Sequence, residues 1–157
     1  MRKLLLAVAA IIGFTALFAQ DKRMFKGKFY NRQNGITIAI DLYDTTVTAP
    51  NYSFLGKMHG YMTGRLYDAW FITDCKVEGN KAAVKFSNDL GADEQDILFS
   101  FDKQGRLLYE VQGANNVRRV ENRKWVKLPA KMVFENKDSL KKEENYLDRL
   151  KSKSSKK

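Results

Sequence analysis

The chain has 157 residues, the size of one domain with a single hydrophobic core, and a second domain is not expected. It carries 28 Lys and Arg against 18 Asp and Glu, a formal net charge of +10. One cysteine is present, so an intramolecular disulfide is excluded, and the packed core must stabilise the fold.

The N-terminus predicts a cleavable secretory signal over residues 1–19. Two cationic residues precede an uncharged run from Leu4 to Phe18, and Ala19 stands before the next charged segment. The run is shorter than the roughly 20 apolar residues that cross a bilayer, which favours cleavage over a retained membrane anchor. We therefore expect an exported protein in the periplasm, at the cell surface or in the extracellular medium, with no transmembrane span in the mature chain.

Residues 24–30 and 36–42 are predicted to pair as a β-hairpin, the first element of the mature chain. The second segment has apolar residues at alternate positions, which gives a strand with one apolar face: Ile36, Ile38, Ile40 and Leu42. Between the two segments, Asn34-Gly35 is a dipeptide that adopts the positive backbone torsions of a tight hairpin turn.

More short strands are expected along the rest of the chain, each with alternating polarity and with turn residues on either side. In chain order they lie at residues 57–63, 66–77, 82–86, 97–101, 107–111, 117–127 and 132–134. Residues 45–54 have weak periodicity and predict a long loop. The predicted fold is all-β: about eight antiparallel strands in a meander that closes into a barrel or packs as a sandwich, either of which hides exposed strand edges.

The C-terminal part of the chain differs in composition from the predicted β domain, residues 20–136. Residues 137–157 contain eight Lys or Arg and four acids. A short helix is predicted first, capped by Asp138 or Ser139, with a one-sided apolar stripe formed by Leu140, Leu147 and Leu150. The basic segment after it, from residue 151 onward, cannot bury apolar surface and is expected to be disordered.

This order of strands followed by a helix resembles the calycin and lipocalin group of exported ligand-carrying barrels, and also the small exported barrel-like proteins of Gram-negative bacteria. Lipocalins have a Gly-x-Trp motif on the first strand, and the indole packs on an arginine of the last strand. Gly27-Lys28-Phe29 stands at the corresponding place with Phe instead of Trp, and Arg118, Arg119 and Arg123 are candidates for the arginine. The resemblance implies a barrel that holds one small ligand.

No catalytic constellation is present in the sequence. His59 is the only histidine, and no paired metal-ligand spacing or nucleophile motif accompanies it, so we expect neither an enzyme nor a bound metal or cofactor. Cys75 alternates with Phe71 and Val77, which favours a buried, inert thiol over a reactive one. Residues 88–96 contain four carboxylates, which are either a solvated acidic turn or oxygen ligands for calcium.

The densest basic stretch lies before the predicted helix and contains one acidic residue, Glu121. It comprises Arg118, Arg119, Arg123, Lys124, Lys127 and Lys131. As one strand, this stretch places Arg119, Arg123 and Lys127 on a shared face. That face is either the solvated outside of a barrel or a site for the anionic groups of envelope lipid or acidic glycan. Nucleic acid is not an expected partner of an exported chain.

The lead hypothesis is a non-enzymatic exported barrel that binds a small amphipathic or anionic ligand in its lumen or mouth. Aromatic rings line apolar pockets and stack on sugars, and a basic residue holds an anionic group. The predicted ligand contacts are therefore Trp70, Tyr61, Tyr67 and Arg119.

Two other functions remain open from the sequence. The protein is alternatively an interaction, inhibitor or immunity-type protein that uses its outer face and basic tail on an acidic partner. A hydrolase is a third hypothesis, and it would use Asp68, Asp74 or His59. This third hypothesis requires those side chains to converge in one cleft.

Overall fold

The computed structural model of the protein describes residues 23–154. The predicted secretory signal, residues 1–19, lies outside this range, as do residues 155–157 of the predicted basic tail. Among the described residues, no helix is both long enough and apolar enough to cross a membrane.

The described residues form an eight-stranded antiparallel barrel, with a separate hairpin and a C-terminal helix outside it. The strands are β1 (Lys26–Asn31), β2 (Ile36–Asp41), β3 (Gly60–Gly64), β4 (Trp70–Glu78), β5 (Lys81–Asn88), β6 (Glu94–Phe101), β7 (Leu107–Gln112), β8 (Arg118–Glu121), β9 (Lys124–Lys127) and β10 (Lys131–Asn136). Helix α1 (Lys137–Ser154) follows. Strands β1 to β7 pair in sequence, and β10 pairs with both β7 and β1 to close the barrel. The predicted all-β meander with a C-terminal helix is confirmed, as a barrel and not a sandwich.

Alternate side chains of the eight strands fill the barrel interior. The apolar face predicted for β2 points inward as part of this core. Buried with it are Phe25, Phe29, Met62, Trp70, Ile72, Ala82, Val84, Phe86, Ile97, Phe99, Leu107, Tyr109, Met132 and Phe134. An eight-stranded barrel has room either for its own inward side chains or for one small ligand. Here these buried side chains occupy the interior, which is a packed core.

A β-bulge changes which side chains of β4 face inward. The strand begins at Trp70, four residues later than predicted, and its pairing with β5 shifts register between Ile72 and Asp74. Trp70 and Ile72 point inward and Phe71 outward, whereas Cys75 and Val77, beyond the bulge, pack against the interior. The predicted shared face of Cys75 and Val77 is confirmed, but the inclusion of Phe71 in it is wrong, because a bulge interrupts the period of two.

The thiol of Cys75 is half-buried against the backbone that directly follows β2. Its Sγ lies 3.7 Å from the carbonyl oxygen of Leu42, which accepts its hydrogen bond. Burial raises the pKa of Cys75, and the nearby carboxylate of Asp74 raises it further. Since the thiolate is the reactive form, this environment agrees with the interpretation of an inert thiol.

The first hairpin forms as predicted, but its turn is longer than a two-residue turn. Four residues, 32–35, connect β1 to β2, and of the Asn34-Gly35 pair only Gly35 has a positive φ, of 65°. The backbone N–H of Gly35 donates to the carbonyl of Asn31 at 2.9 Å. The side-chain oxygen of Asn31 accepts from the backbone N–H of Asn34 at 2.7 Å. The asparagine side chain therefore holds the turn locally.

The long loop predicted at residues 45–54 is confirmed, and it covers the outer wall of the barrel. Beneath it lies a small second core that contains Ala49 of the loop together with Tyr61 and Phe71 of the wall. The ring of Tyr52 meets that of Phe71 edge-on at 4.9 Å, and its hydroxyl donates to Asp89 at 2.7 Å. The loop is thereby attached to the β5–β6 connection.

The basic stretch predicted as one strand, residues 117–127, is instead the β8–β9 hairpin. Asn122 and Arg123 form its turn with positive φ values of 51° and 63°. In the resulting register Arg118 pairs with Lys127, whereas Arg119 pairs with Val126. The predicted shared face of Arg119, Arg123 and Lys127 is therefore wrong, since Arg119 and Lys127 lie on opposite faces of the hairpin.

Helix α1 packs loosely along the outside of β1 and β10. Its N-terminal cap is Asn136, whose side-chain oxygen accepts a hydrogen bond from the backbone N–H of Asp138 at 2.9 Å. The helix was predicted to be capped by Asp138 or Ser139, and the observed cap lies two or three residues before them. Leu140 is half-buried, and Leu147 is exposed. The helix extends to Ser154, so the disorder predicted from residue 151 does not begin there.

Replacing Gly64 tests the close packing between the backbone of β3 and the turn of the first hairpin. Gly64 has a φ of 125°, and an added Cβ would overlap the carbonyl oxygen of Gly35. We expect Gly64→Ala to lower the free energy of unfolding by about 3 kcal/mol, measured by urea denaturation. Gly91→Ala is the control, because Gly91 also has a positive φ but open space around it, and it should cost about 1 kcal/mol. Equal losses in the two variants would contradict this packing.

The environment of Asp41 predicts that the folded protein loses stability in acid. Asp41 is buried, its carboxylate lies 2.8 Å from Lys26 Nζ, and it accepts a hydrogen bond from Thr46 at 2.7 Å. Burial acts to raise the pKa of Asp41, but the hydrogen bonds from Lys26, from Thr46 and from the backbone N–H of Tyr43 outweigh it and hold the pKa below its ordinary value of 3.8.

A lowered pKa in the folded state stabilises the protein above the unfolded pKa, and this stabilisation disappears as the pH falls through the folded value. Urea denaturation of the wild type at pH 7 and at pH 3 should therefore show a loss in acid. Asp41→Asn should be less stable at pH 7 and lose less between the two conditions. A variant with the same pH dependence as the wild type would show that Asp41 is not responsible.

Candidate functional site

Four connections meet at one end of the barrel, which we call the mouth. They are the β1–β2 turn, the β3–β4 loop (residues 65–69), the β5–β6 loop (residues 89–93) and the β7–β10 connection, which includes the β8–β9 hairpin. The antiparallel order places the β4–β5 and β6–β7 turns at the opposite end, which we call the base.

The β7–β10 connection is fixed across the mouth by apolar anchors and a buried amide. Val117 and Leu128, on either side of the hairpin, insert their side chains into the core. The buried side-chain oxygen of Gln95 accepts from the backbone N–H of Asn116 at 2.7 Å. The backbone N–H of Tyr67 donates to the carbonyl of Arg118 at 3.1 Å. The hairpin is therefore held to strand β6 and to the β3–β4 loop.

A cavity of about 230 Å³ lies between the hairpin and the β3–β4 and β5–β6 loops. At about 30 Å³ per water molecule, this volume has room for a molecule the size of one small ring compound. It is lined by Tyr67, Asp68, Trp70, Asn88, Leu90, Ala92, Asp93, Asn116, Arg118 and Trp125. We call this the mouth cavity.

Two partly exposed aromatic rings form a wall of the mouth cavity. Tyr67 and Trp125 meet edge to face, with their ring centroids 4.4 Å apart and an interplanar angle of 78°. They remain 60% and 56% exposed, although each contacts the other. Such a pair holds its own geometry and leaves ring surface free for a ligand.

Asn88 orders the polar side of the mouth cavity. Its side-chain oxygen accepts from the backbone N–H groups of Ala92 and Asp93, at 2.9 and 3.1 Å. Its side-chain amide donates to a carboxylate oxygen of Asp68 at 3.3 Å. A single buried asparagine thus fixes both the β5–β6 loop and the orientation of the Asp68 carboxylate.

The charges of the mouth cavity are mixed. Arg118 Nη2 lies 3.9 Å from a carboxylate oxygen of Asp93, which is too far for a direct hydrogen bond, so both groups keep hydrogen-bonding capacity for a ligand. With Asp68 also present, two carboxylates face one guanidinium. The cavity therefore offers strong acceptors and strong donors beside an aromatic wall.

The structure places two of the four predicted ligand contacts in the mouth cavity. Trp70 and Tyr67 line it. Tyr61 lies on the outer wall under the long loop, where burial raises its pKa. Arg119 donates to the side-chain oxygen of Asn34 at 3.3 Å and lies 3.3 Å from Glu121, on the hairpin face away from Arg118. Its neighbour Arg118 is the basic residue that lines the cavity.

Sequence reasoning missed several lining residues because it missed the hairpin. With a turn at Asn122, Arg118 and Trp125 fall on one face, since Val120 pairs with Trp125 and Arg118 with Lys127. The only sequence signal was the asparagine, which tolerates positive φ more readily than most residues. No local pattern marks Asn88 or Asn116 as cavity residues.

The residues of the hydrolase hypothesis do not meet in the structure. His59 immediately precedes β3 and Asp68 follows it, so the two lie at opposite ends of that strand. Asp74 is exposed on the outer face of β4. These three side chains therefore share no cleft.

The carboxylates of the acidic segment, residues 88–96, contact side chains of the protein. Asp89 accepts the hydroxyl of Tyr52, and Glu94 and Asp96 both lie within 4 Å of Lys85 Nζ, at 3.3 and 3.8 Å. Within residues 23–154, no three His, Cys, Asp or Glu side chains come together in a way that could hold a metal ion.

A larger groove, of about 960 Å³, separates α1 from the outer wall of β1, β7 and β10. It contains apolar side chains such as Leu108 and Leu140 and charged ones such as Lys131 and Glu143. None of the four predicted ligand contacts lines it. The mouth cavity is the stronger candidate because its aromatic and polar groups converge on one small volume held by buried side chains.

The chain matches no family model, and no match was found among the curated or solved proteins compared with it. The Gly27-Lys28-Phe29 segment also differs in its contacts from the lipocalin motif. Phe29 packs in the interior with its ring 5.9 Å from that of Phe101. Arg118 and Arg119 are instead engaged at the mouth.

Removing the buried amide of Gln95 should loosen the hairpin. In Gln95→Leu, the backbone N–H of Asn116 loses its acceptor, and an unsatisfied buried donor costs about 2 kcal/mol. We expect a loss of that size in the free energy of unfolding and faster hydrogen exchange in residues 115–128. Gln104→Leu, in the exposed turn at the base, is the control. Unchanged exchange in the hairpin of Gln95→Leu would contradict the anchoring role.

Proposed function

We propose that the protein is an exported, non-enzymatic binding protein that takes one small amphipathic ligand in the mouth cavity. The observation that carries this proposal is the convergence of exposed aromatic rings with carboxylate, amide and guanidinium groups around about 230 Å³. Binding sites of this kind bury an apolar face of the ligand and orient it with a few polar groups.

The location of the site follows from the packing of the barrel. The lead hypothesis allowed either the lumen or the mouth, and core side chains fill the interior. Trp70 belongs to that core and also lines the mouth cavity, so it forms the boundary between the two. A ligand at the mouth needs no rearrangement of the core.

The polar groups favour a neutral, hydroxyl-bearing ligand over a strongly anionic one. An anion would meet the two carboxylates, Asp68 and Asp93, beside the single guanidinium of Arg118. A hydroxyl group both donates and accepts, and it therefore suits Asp68 as acceptor and Arg118 as donor. The ring of a sugar unit has such hydroxyls and also an apolar face that fits against Tyr67 or Trp125.

We also propose that the protein is exported and that it is related to the calycin group. The signal predicted at residues 1–19 supports a location in the periplasm or at the cell surface. The barrel followed by a helix supports the proposed relation to the calycin group. In this protein the ligand would lie at the mouth, outside a packed interior.

Substitution of Tyr67 tests the proposal directly. NMR titration of the ¹⁵N-labelled protein with a panel of monosaccharides and disaccharides should shift amides of residues 65–69, 88–93 and 116–125. Tyr67→Ala should weaken the affinity about fivefold or more, because it removes roughly 1 kcal/mol of aromatic contact.

Tyr146→Ala is the matched control, because Tyr146 is exposed to a similar extent, 62% against 60% for Tyr67, but lies on α1. It should bind as the wild type does. The proposal fails if the shifts lie elsewhere on the barrel or if Tyr67→Ala binds with unchanged affinity.

A further inference from the structure

The β8–β9 hairpin carries most of the positive charge at the mouth. Between residues 118 and 127 there are five cations and one acid, Glu121: the cations are Arg118, Arg119, Arg123, Lys124 and Lys127. Arg118 and Arg119 face acids or amides of the protein. The side chains of the other three are exposed and make no hydrogen bond or ion pair with any residue between 23 and 154.

One face of the hairpin combines this charge with exposed apolar surface. Val120 lies directly opposite Trp125, and both are more than half exposed, at 54% and 56%. Tyr67 contacts Trp125 and extends the apolar area. Arg118 and Lys127, paired across the hairpin two positions away, flank it on the same face. The face has an apolar centre and a cationic edge.

The hairpin presents this face in a fixed orientation. Val117 and Leu128 hold its two ends in the core, and the backbone N–H of Leu128 donates to the carbonyl of Val117 at 3.0 Å. Asn122 and Arg123 form a tight turn at its tip. A surface that is already ordered loses little conformational entropy when it binds.

The neighbouring acids are largely compensated within the protein. Asp89 accepts the Tyr52 hydroxyl, and Asp93 lies 3.9 Å from Arg118. Glu94 and Asp96 both contact Lys85. The cations at the hairpin tip have no such partners among the described residues, so the uncompensated charge of this region is positive.

We propose that the β8–β9 hairpin docks the mouth of the barrel onto an anionic lipid surface. Trp and Tyr side chains favour the interface between lipid and water, and Lys and Arg are attracted to anionic headgroups. An acidic polysaccharide would satisfy the cations, but it offers no apolar phase for Val120. A lipid surface accepts both parts of the face.

The first experiment removes charge from the hairpin tip. The triple variant Arg123→Gln, Lys124→Gln, Lys127→Gln is compared with the wild type, both purified from the envelope of expressing cells. Binding is measured by co-sedimentation with vesicles of phosphatidylglycerol and phosphatidylcholine in equal parts, and with vesicles of phosphatidylcholine alone. Each lost cation should weaken binding to the anionic vesicles about fivefold, so the triple variant should bind about a hundredfold more weakly.

The matched control removes the same charge at the base, with Lys76→Gln, Lys81→Gln, Lys103→Gln. These lysines lie on or beside the β4–β5 and β6–β7 turns and are exposed. The control should bind as the wild type does. If it loses as much affinity as the hairpin variant, binding follows net charge alone, and the proposal is wrong.

Two further readouts identify the partner. Trp125 is exposed and Trp70 is 2% exposed, so a blue shift of tryptophan emission on anionic vesicles reports the insertion of Trp125. Val120→Ser should weaken binding to the vesicles and leave any binding to polygalacturonate, a soluble acidic polysaccharide, unchanged.

Tight binding to polygalacturonate with none to the anionic vesicles would overturn the lipid proposal in favour of an acidic glycan. Asp68→Asn separates this inference from the proposed ligand, because Asp68 lines the mouth cavity but is not part of the docking face. It should weaken sugar binding, since a sugar hydroxyl loses its carboxylate acceptor, and it should leave vesicle binding no weaker, because the hairpin cations and the apolar face remain. If the protein binds vesicles through the hairpin but binds no sugar, the docking proposal is supported and the sugar-binding proposal is wrong.

Discussion

The inward packing of alternate side chains in an eight-stranded barrel is the constraint on which the rest of the structure depends. A barrel of this strand number has room for one set of side chains or for a ligand that replaces some of them. Here large aromatic and branched residues, such as Phe86, Phe99 and Phe134, occupy it. This filling stabilises the fold without a disulfide, and it is the reason why the proposed binding site lies outside the lumen.

The insertion between β7 and β10 adds aromatic and charged side chains to one end of this packed barrel. Val117 and Leu128 extend the core, and Gln95 satisfies the backbone where the insertion begins. Because the hairpin is tied to the core, Trp125 and Arg118 are held beside the loops that carry Tyr67 and the β5–β6 acids. One inserted hairpin thus supplies a wall of the cavity and the cationic face beside it.

The sequence predicts the barrel well because alternation is a local property that strand packing requires. The apolar face of β2 and the all-β order were predicted correctly on this basis. The bulge after Ile72 shifts the alternation of β4, and the turn at Asn122 reverses the chain to form a hairpin. Both were missed because neither has a strong residue signal. The cavity was only half predicted because it depends on contacts between segments that are distant in the chain, such as the ring contact between Tyr67 and Trp125.

The central claim, that binding takes place at the mouth because the lumen is full, is tested most directly by a crystal structure of the protein with a bound ligand. Crystals grown from protein purified from its native cells, or crystals soaked with the tightest-binding sugar, would serve. The account predicts ligand density between Tyr67, Trp125 and Asp68, with Phe86, Phe99 and Phe134 unmoved. Density within the barrel interior, with those rings displaced, would contradict it.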